Sequence, residues 1–157
     1  LVTASALLDL MPEAWVPTLA QRLQRMAIPL YAALNYNGVM RWFPQHNGDA
    51  EVVAAFNAHQ RTDKGIGPAL GPTAADVTSR ILAQHGFDVA VGDSPWKLGP
   101  AEARLHKELL TGIGDAAAEM GCASAGDWVT GRCRSVAQMS GYIGHTDILA
   151  VPRKERE

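Results

Sequence analysis

The chain has 157 residues, of which 47% are hydrophobic and 19% charged, so a packed core is expected and intrinsic disorder is not. Fourteen Lys and Arg against 16 Asp and Glu leave a formal charge of -2, the wrong balance for a dedicated nucleic-acid binder. No run approaches the roughly 18 apolar residues a membrane-spanning helix needs, and no basic region precedes the apolar start as in a signal peptide. Cys122 and Cys133 alone do not make a disulfide framework, which sets the cytoplasm as the expected compartment.

Leu1 to Leu8 is an apolar run without a polar face, as in a strand buried on both sides or the end of one. Asp9 offers a helix cap and Pro12 a first-turn residue. Trp15, Leu19, Leu23 and Met26 then follow at helical spacing, up to Ile28-Pro29. Leu30 to Tyr36 reads as a second strand. Asn37-Gly38 predicts a type I′ turn, with Tyr36 and Val39 flanking a hairpin whose return strand alternates Val39, Arg41 and Phe43 with Met40 and Trp42. Val52, Val53 and Phe56 predict a short helix after Asp49. Thr73 and Asp76 resemble a capping pair for a helix through Val77 and Ile81, stopped by Gly86.

Phe87 to Val91 reads as a third core strand. Pro100 opens the longest helix, with Leu105, Leu109, Ile113, Ala116 and Met120 on one face and Gly121 beyond its end. A further helix is expected over Asp127 to Gln138, with Trp128, Val129 and Cys133 inward. A last strand is expected over Tyr142 to Val151. Residues 1–152 are read as one folded region and 153–157 as a polar tail. Strands alternating with helices imply an α/β fold with a largely parallel sheet, helices on its faces, and an antiparallel component near one edge.

No Walker loop occurs. Gly65-Ile66-Gly67 and Gly112-Ile113-Gly114 do not lie between a strand and a helix, so neither is a dinucleotide loop. The spacing of Cys122 and Cys133 matches no zinc-ligand pair, and no metal site is expected. The distinctive stretch is His59-Gln60-Arg61-Thr62-Asp63-Lys64-Gly65-Ile66-Gly67-Pro68-Ala69-Leu70-Gly71-Pro72. Its charges, glycines and prolines describe either a binding loop of defined conformation or a solvated helix end followed by an ordinary turn. Asn35, Tyr36 and Trp42 form a second group, able to stack on a flat ligand or to brace the predicted hairpin. Thr3, Ser5 and Asp9 lie where a first parallel strand ends, the usual ligand edge of such sheets, although capping alone would explain Asp9.

The run from Leu1 to Leu10, the strand ending Leu34-Asn35-Tyr36-Asn37-Gly38, the segment from Phe56 to Pro72 and the close Gly144-His145-Thr146-Asp147-Ile148-Leu149-Ala150 together resemble a bacterial group of class I S-adenosylmethionine-dependent methyltransferases. The resemblance covers nearly the whole chain but only the second half of that family's domain. It implies a partial Rossmann-like sheet with flanking helices. Leu1 to Leu8 would be the fourth of seven strands, and the later strands the fifth, sixth and seventh, the last antiparallel and inserted beside the fifth. The family's glycine-rich cofactor turn and its acidic second-strand end are missing here.

By resemblance, Thr3, Ser5 and Asp9 would face the methyl donor, and Tyr36, Trp42, His59, Arg61 and Lys64 a small-molecule acceptor. His59 is the candidate base, and Arg61 and Lys64 are candidate grips for an anionic acceptor. The alternative is a non-catalytic binding or assembly module derived from the same fold. A small α/β hydrolase would need a Gly-x-Ser-x-Gly elbow, and none occurs. A sheet cut before its fourth strand exposes an apolar edge, so the chain is expected to be part of a longer protein, or to pair through Leu1 to Leu8 with another chain or a second copy of itself. S-adenosylmethionine binding by this chain alone is expected to be weak or nil, with the chain alone inactive.

Overall fold

The computed structural model describes residues 1–153. Five strands, β1 (Val2–Ser5), β2 (Leu30–Phe43), β3 (Phe87–Asp93), β4 (Trp96–Leu98) and β5 (Ser140–Pro152), form one open mixed sheet in the order β1-β2-β5-β3, with β4 also on β5. β1 runs parallel to β2, pairing Val2 with Leu30 and Ser5 with Ala33, whereas β3 and β4 run antiparallel to β5. Five α-helices accompany them: α1 (Val16–Arg25), α2 (Asp49–His59), α3 (Ala74–Gln84), α4 (Ala103–Glu119) and α5 (Ala125–Ser135). The fold is thus mixed α/β with an open sheet and flanking helices. Among the described residues no helix is long and apolar enough to cross a membrane.

The residues divide into two compact units. One holds Leu1–Asn37, Gln60–Ser94 and the stretch from His145; the other holds Gly38–His59 and Pro95–Gly144. β2 and β5 contribute residues to both.

In the first unit, α1 and α3 pack with the strands around Leu8, Val16, Leu23, Leu30, Ile81, Leu82, Phe87 and Ile148. Leu23 of the expected α1 stripe lies in this core, and Trp15 and Leu19 pack against it. Met26 is exposed instead, because the helix has ended at Arg25. Thr73 precedes α3 but directs its hydroxyl back to the Leu70 carbonyl, at 2.8 Å, and so does not cap the helix. Gly86, at φ 82°, ends that helix as expected.

In the second unit, α4 packs against α2 and α5, enclosing Val52, Leu110, Ile113, Ala117 and Trp128. The inward face of α4 holds His106, Leu110, Ile113, Ala116 and Ala117, so Ile113 and Ala116 of the expected stripe are buried and Leu109 is half-buried, whereas Leu105 and Met120 are exposed. Trp128 is buried as expected, while Val129 and Cys133 are half-buried.

Two further expectations need correction. Asn37-Gly38 makes no hairpin: β2 runs unbroken from Leu30 to Phe43, with Gly38 at φ 86° inside it. A glycine that tolerates positive φ serves a local kink in a strand as readily as a turn. The opening strand is also not buried on both sides. Only Val2–Ser5 is extended, it is mostly exposed, and it stands at the end of the strand order with β2 as its one partner among the described residues. Of the expected polar tail, Arg153 is described. Its amide donates to the Gly86 carbonyl at 2.8 Å and its side chain to Asp88, while residues 154–157 lie outside the described part.

Candidate functional site

In the first unit, polar groups converge where β1 and β3 end. Ser5 closes β1, and Ala6, in a left-handed conformation, donates its amide to the Ala33 carbonyl. Asp147 of β5, opposite Gly92 of β3, accepts three donors: the Tyr31 hydroxyl at 2.6 Å, the Leu34 amide at 2.8 Å and the Ser94 hydroxyl. Burial pushes its carboxyl upward, but these donors and the nearby His145 outweigh that and hold it below the usual carboxylate range. The contact also raises the Tyr31 phenol.

Next to Leu34, Asn35 is fully buried. Its amide donates to the carbonyls of Ala32 and Thr146, at 3.1 and 2.9 Å, and its side-chain oxygen meets no hydrogen-bond partner among the described residues. Asp9 is buried too, at 8% exposure, and its Oδ1 likewise has no partner among the described residues. Burial raises the Asp9 carboxyl, opposed by its own backbone N–H and that of Tyr36. A carboxyl so placed sits nearer to neutrality than an exposed one and can exchange a proton or face a cation.

The structure therefore brings Asp9 and the Tyr36 backbone together. Tyr36 itself is buried, its ring edge-on to His145 at 6.3 Å, and burial pushes its phenol up. Thr3 and Ser5 lie exposed on β1.

The segment from Gln60 to Pro72 is ordered from within. Asp63 Oδ1 accepts the amides of Gly65 and Gly67 at 2.7 and 2.9 Å, and these bonds hold its carboxyl below the usual range. Bridges pair Asp63 with Pro68 and Pro12 with Ala69, and the Leu70 amide donates to the Met11 carbonyl. Lys64 donates to the Thr62 hydroxyl at 3.0 Å. Arg61 is exposed and, with Glu13, Pro68, Leu70 and Thr73, borders a cavity of about 250 Å³.

The second unit holds Trp42 and His59. His59, ending α2, lies 2.9 Å from Glu119 Oε2 of α4. Trp42 is buried and donates its indole N–H to His106 Nε2 at 3.1 Å. That bond leaves the proton of a neutral imidazole on Nδ1, which is buried without a partner. Arg132, 3% exposed, lies over the Trp42 ring at 5.5 Å and binds both carboxylate oxygens of Asp49 and the Pro44 carbonyl. Asp49 also accepts the Trp128 indole at 2.8 Å and the His46 amide. Gly141 has no room for a side chain: a Cβ there would lie 2.7 Å from His106 Nε2.

The sequence reading passed over Asp147, Ser94, His106, Asp49 and Arg132. Its one available signal for Asp147 was a carboxylate immediately before the apolar run Ile148-Leu149-Ala150-Val151. Among the described residues no three His, Cys, Asp or Glu are grouped to hold a metal, and both cysteines are free. No protein-family model and no curated protein matches the sequence.

Proposed function

We propose that these residues form the acceptor-side portion of a Rossmann-like, class I S-adenosylmethionine-dependent methyltransferase. The observation that carries the reading is the strand order. The last strand, β5, lies beside β2 and runs antiparallel to β3, and the family resemblance implies an antiparallel seventh strand inserted beside the fifth.

Asp9 fits a role beside the cofactor, because its buried, unpartnered oxygen suits a cationic donor. S-adenosylmethionine supplies a methyl group on a positively charged sulfur. Methyl transfer is an in-line displacement that asks mainly for alignment, which a rigid sheet end provides. Thr3 and Ser5 are exposed beside Asp9 in sequence. His59, oriented by Glu119, is the proposed base where the acceptor must lose a proton. Arg61 and Lys64 are the proposed contacts to an anionic small-molecule acceptor, and Tyr36 and Trp42, both buried, are the proposed aromatic residues of the acceptor side. The exposed β1, paired on one side only, is proposed to meet a donor-gripping segment or a second chain.

The test is calorimetric titration of S-adenosylmethionine into residues 1–157 and into the product of the full reading frame with any co-purifying partner. Saturable binding by the second and weak or no binding by the first is expected. A full product that binds no cofactor overturns the reading in favour of a non-catalytic module.

A further inference from the structure

Within the second unit the sheet has two unlike faces. Met40 and Trp42 of β2, Ile143 of β5 and Leu98 of β4 are buried. The alternate positions are Arg41 and Phe43 of β2, Ser140 and Tyr142 of β5, and Lys97 of β4, with Lys97 in register opposite Tyr142. These five residues line a cavity of about 640 Å³, which Gln45 and the edges of the buried Trp42 and Leu98 also border. That size falls within the roughly 300–1,000 Å³ typical of small-molecule sites.

Three observations say what would occupy it. Arg41 and Lys97 are exposed, and the side chain of neither makes an ion pair or hydrogen bond among the described residues. Among the described residues no Asp or Glu lines the cavity, in a chain whose net charge is -2, so the local field is positive against the overall balance. Phe43 is 74% exposed, an aromatic ring that folding leaves in water next to those charges. An anion satisfies the cations, and a ring or other flat apolar body covers Phe43. Two cations are few for a polyanion, whose binding proteins commonly neutralise about six to ten phosphates.

We propose that this face is a binding site for a small anionic molecule carrying an aromatic or similarly flat apolar group. The site goes beyond the methyltransferase reading and stands independently of it.

The experiment titrates 2-naphthyl phosphate into the full chain by calorimetry, with 2-naphthol, inorganic phosphate and an eight-residue oligothymidylate as comparisons. Saturable binding of 2-naphthyl phosphate is expected, with 2-naphthol and phosphate each at least about tenfold weaker. The Arg41→Gln/Lys97→Gln double variant and Phe43→Ala should each weaken it by about tenfold or more while leaving the circular dichroism spectrum unchanged, since the replaced groups are exposed. Absence of saturable binding, equal affinity in the folded variants, or tighter binding of the oligothymidylate would each overturn the assignment.

Discussion

Asp147 accepts the backbone N–H of Leu34 at 2.8 Å, and Leu34 sits at φ 58° in the middle of β2. A left-handed, non-glycine residue inside a strand costs on the order of 1–2 kcal/mol, so it persists only where its surroundings hold it. Here the carboxylate that captures its amide is itself fixed by Tyr31 and Ser94. The consequence is positional. The strand is turned locally just before Asn35, whose buried side chain ties β2 to the Thr146 carbonyl beside the ends of β1 and β3.

Asp147→Asn tests that arrangement. An amide offers one acceptor oxygen where three donors converge, and at least one donor is left unmet. We expect a loss of about 1–3 kcal/mol in urea unfolding at pH 7. The acid limb gives an independent check. The native carboxyl titrates below its unfolded value, so its stabilisation is complete above the ordinary carboxylate range and fades as pH falls through the native value. Wild type should therefore lose stability between about pH 5 and pH 3 by more than the variant does. Parallel acid limbs would show that Asp147 carries no such coupling.

Arg132 and Asp49 make a second fixed relationship, in the other unit. Arg132 is almost wholly buried, and its fork engages both Asp49 oxygens while its remaining nitrogen reaches the Pro44 carbonyl. Removing one member of a buried pair leaves the other charge uncompensated. Arg132→Met should cost about 3–5 kcal/mol. Arg132→Lys keeps the charge but cannot reproduce the bidentate geometry, and should fall between that variant and wild type. Tryptophan fluorescence during urea unfolding reports the change directly, since Trp42 and Trp128 stand against this pair. Equal costs for the two variants would mean that a charge without the fork contributes nothing, and a lysine variant as stable as wild type would mean that the fork adds nothing beyond its charge.

What the sequence made legible, and what it did not, follows from how each signal arises. Repeating apolar positions placed the helices now seen as α1, α3 and α4, because a buried helix face writes itself into the spacing of its residues. The spacing finds Ile113 and Ala116 on the inward face of α4 but misses His106, because a polar residue reads as outward, whereas the Trp42 indole gives it a partner inside. Asn37-Gly38 misled because the dipeptide encodes a permitted φ, not the turn that usually uses it. β4 escaped notice: Trp96-Lys97-Leu98 is three residues long and set between Pro95 and Gly99-Pro100, which read as loop. The segment from His59 to Pro72 was readable as a shaped loop. That Asp63 shapes it, by binding two amides further along, depends on backbone geometry that composition does not reveal. Asp147 and Asp49 were invisible for a related reason, since the side chains that bind them, Tyr31, Ser94, Trp128 and Arg132, lie more than 50 residues away in the chain.

His106 carries the last prediction. Burial, reinforced by the nearby Arg132 charge, lowers its tendency to take a proton in the folded state. In the unfolded chain an imidazole protonates near pH 6.5, so below that value the unfolded state binds more protons than the native one. Stability must then rise with pH across this window and fall as the solution is acidified from about pH 7 towards the lower native value. His106→Gln keeps an acceptor for the Trp42 indole without a group that titrates there, and should flatten that part of the profile. Measuring unfolding free energy at half-unit steps from pH 7.5 to pH 5 for both proteins isolates the effect, because the other histidines are common to the two curves. A difference curve that stays level, or slopes the opposite way, would place the charged imidazole in the folded state and contradict the Trp42–His106 bond in which Nε2 is the acceptor.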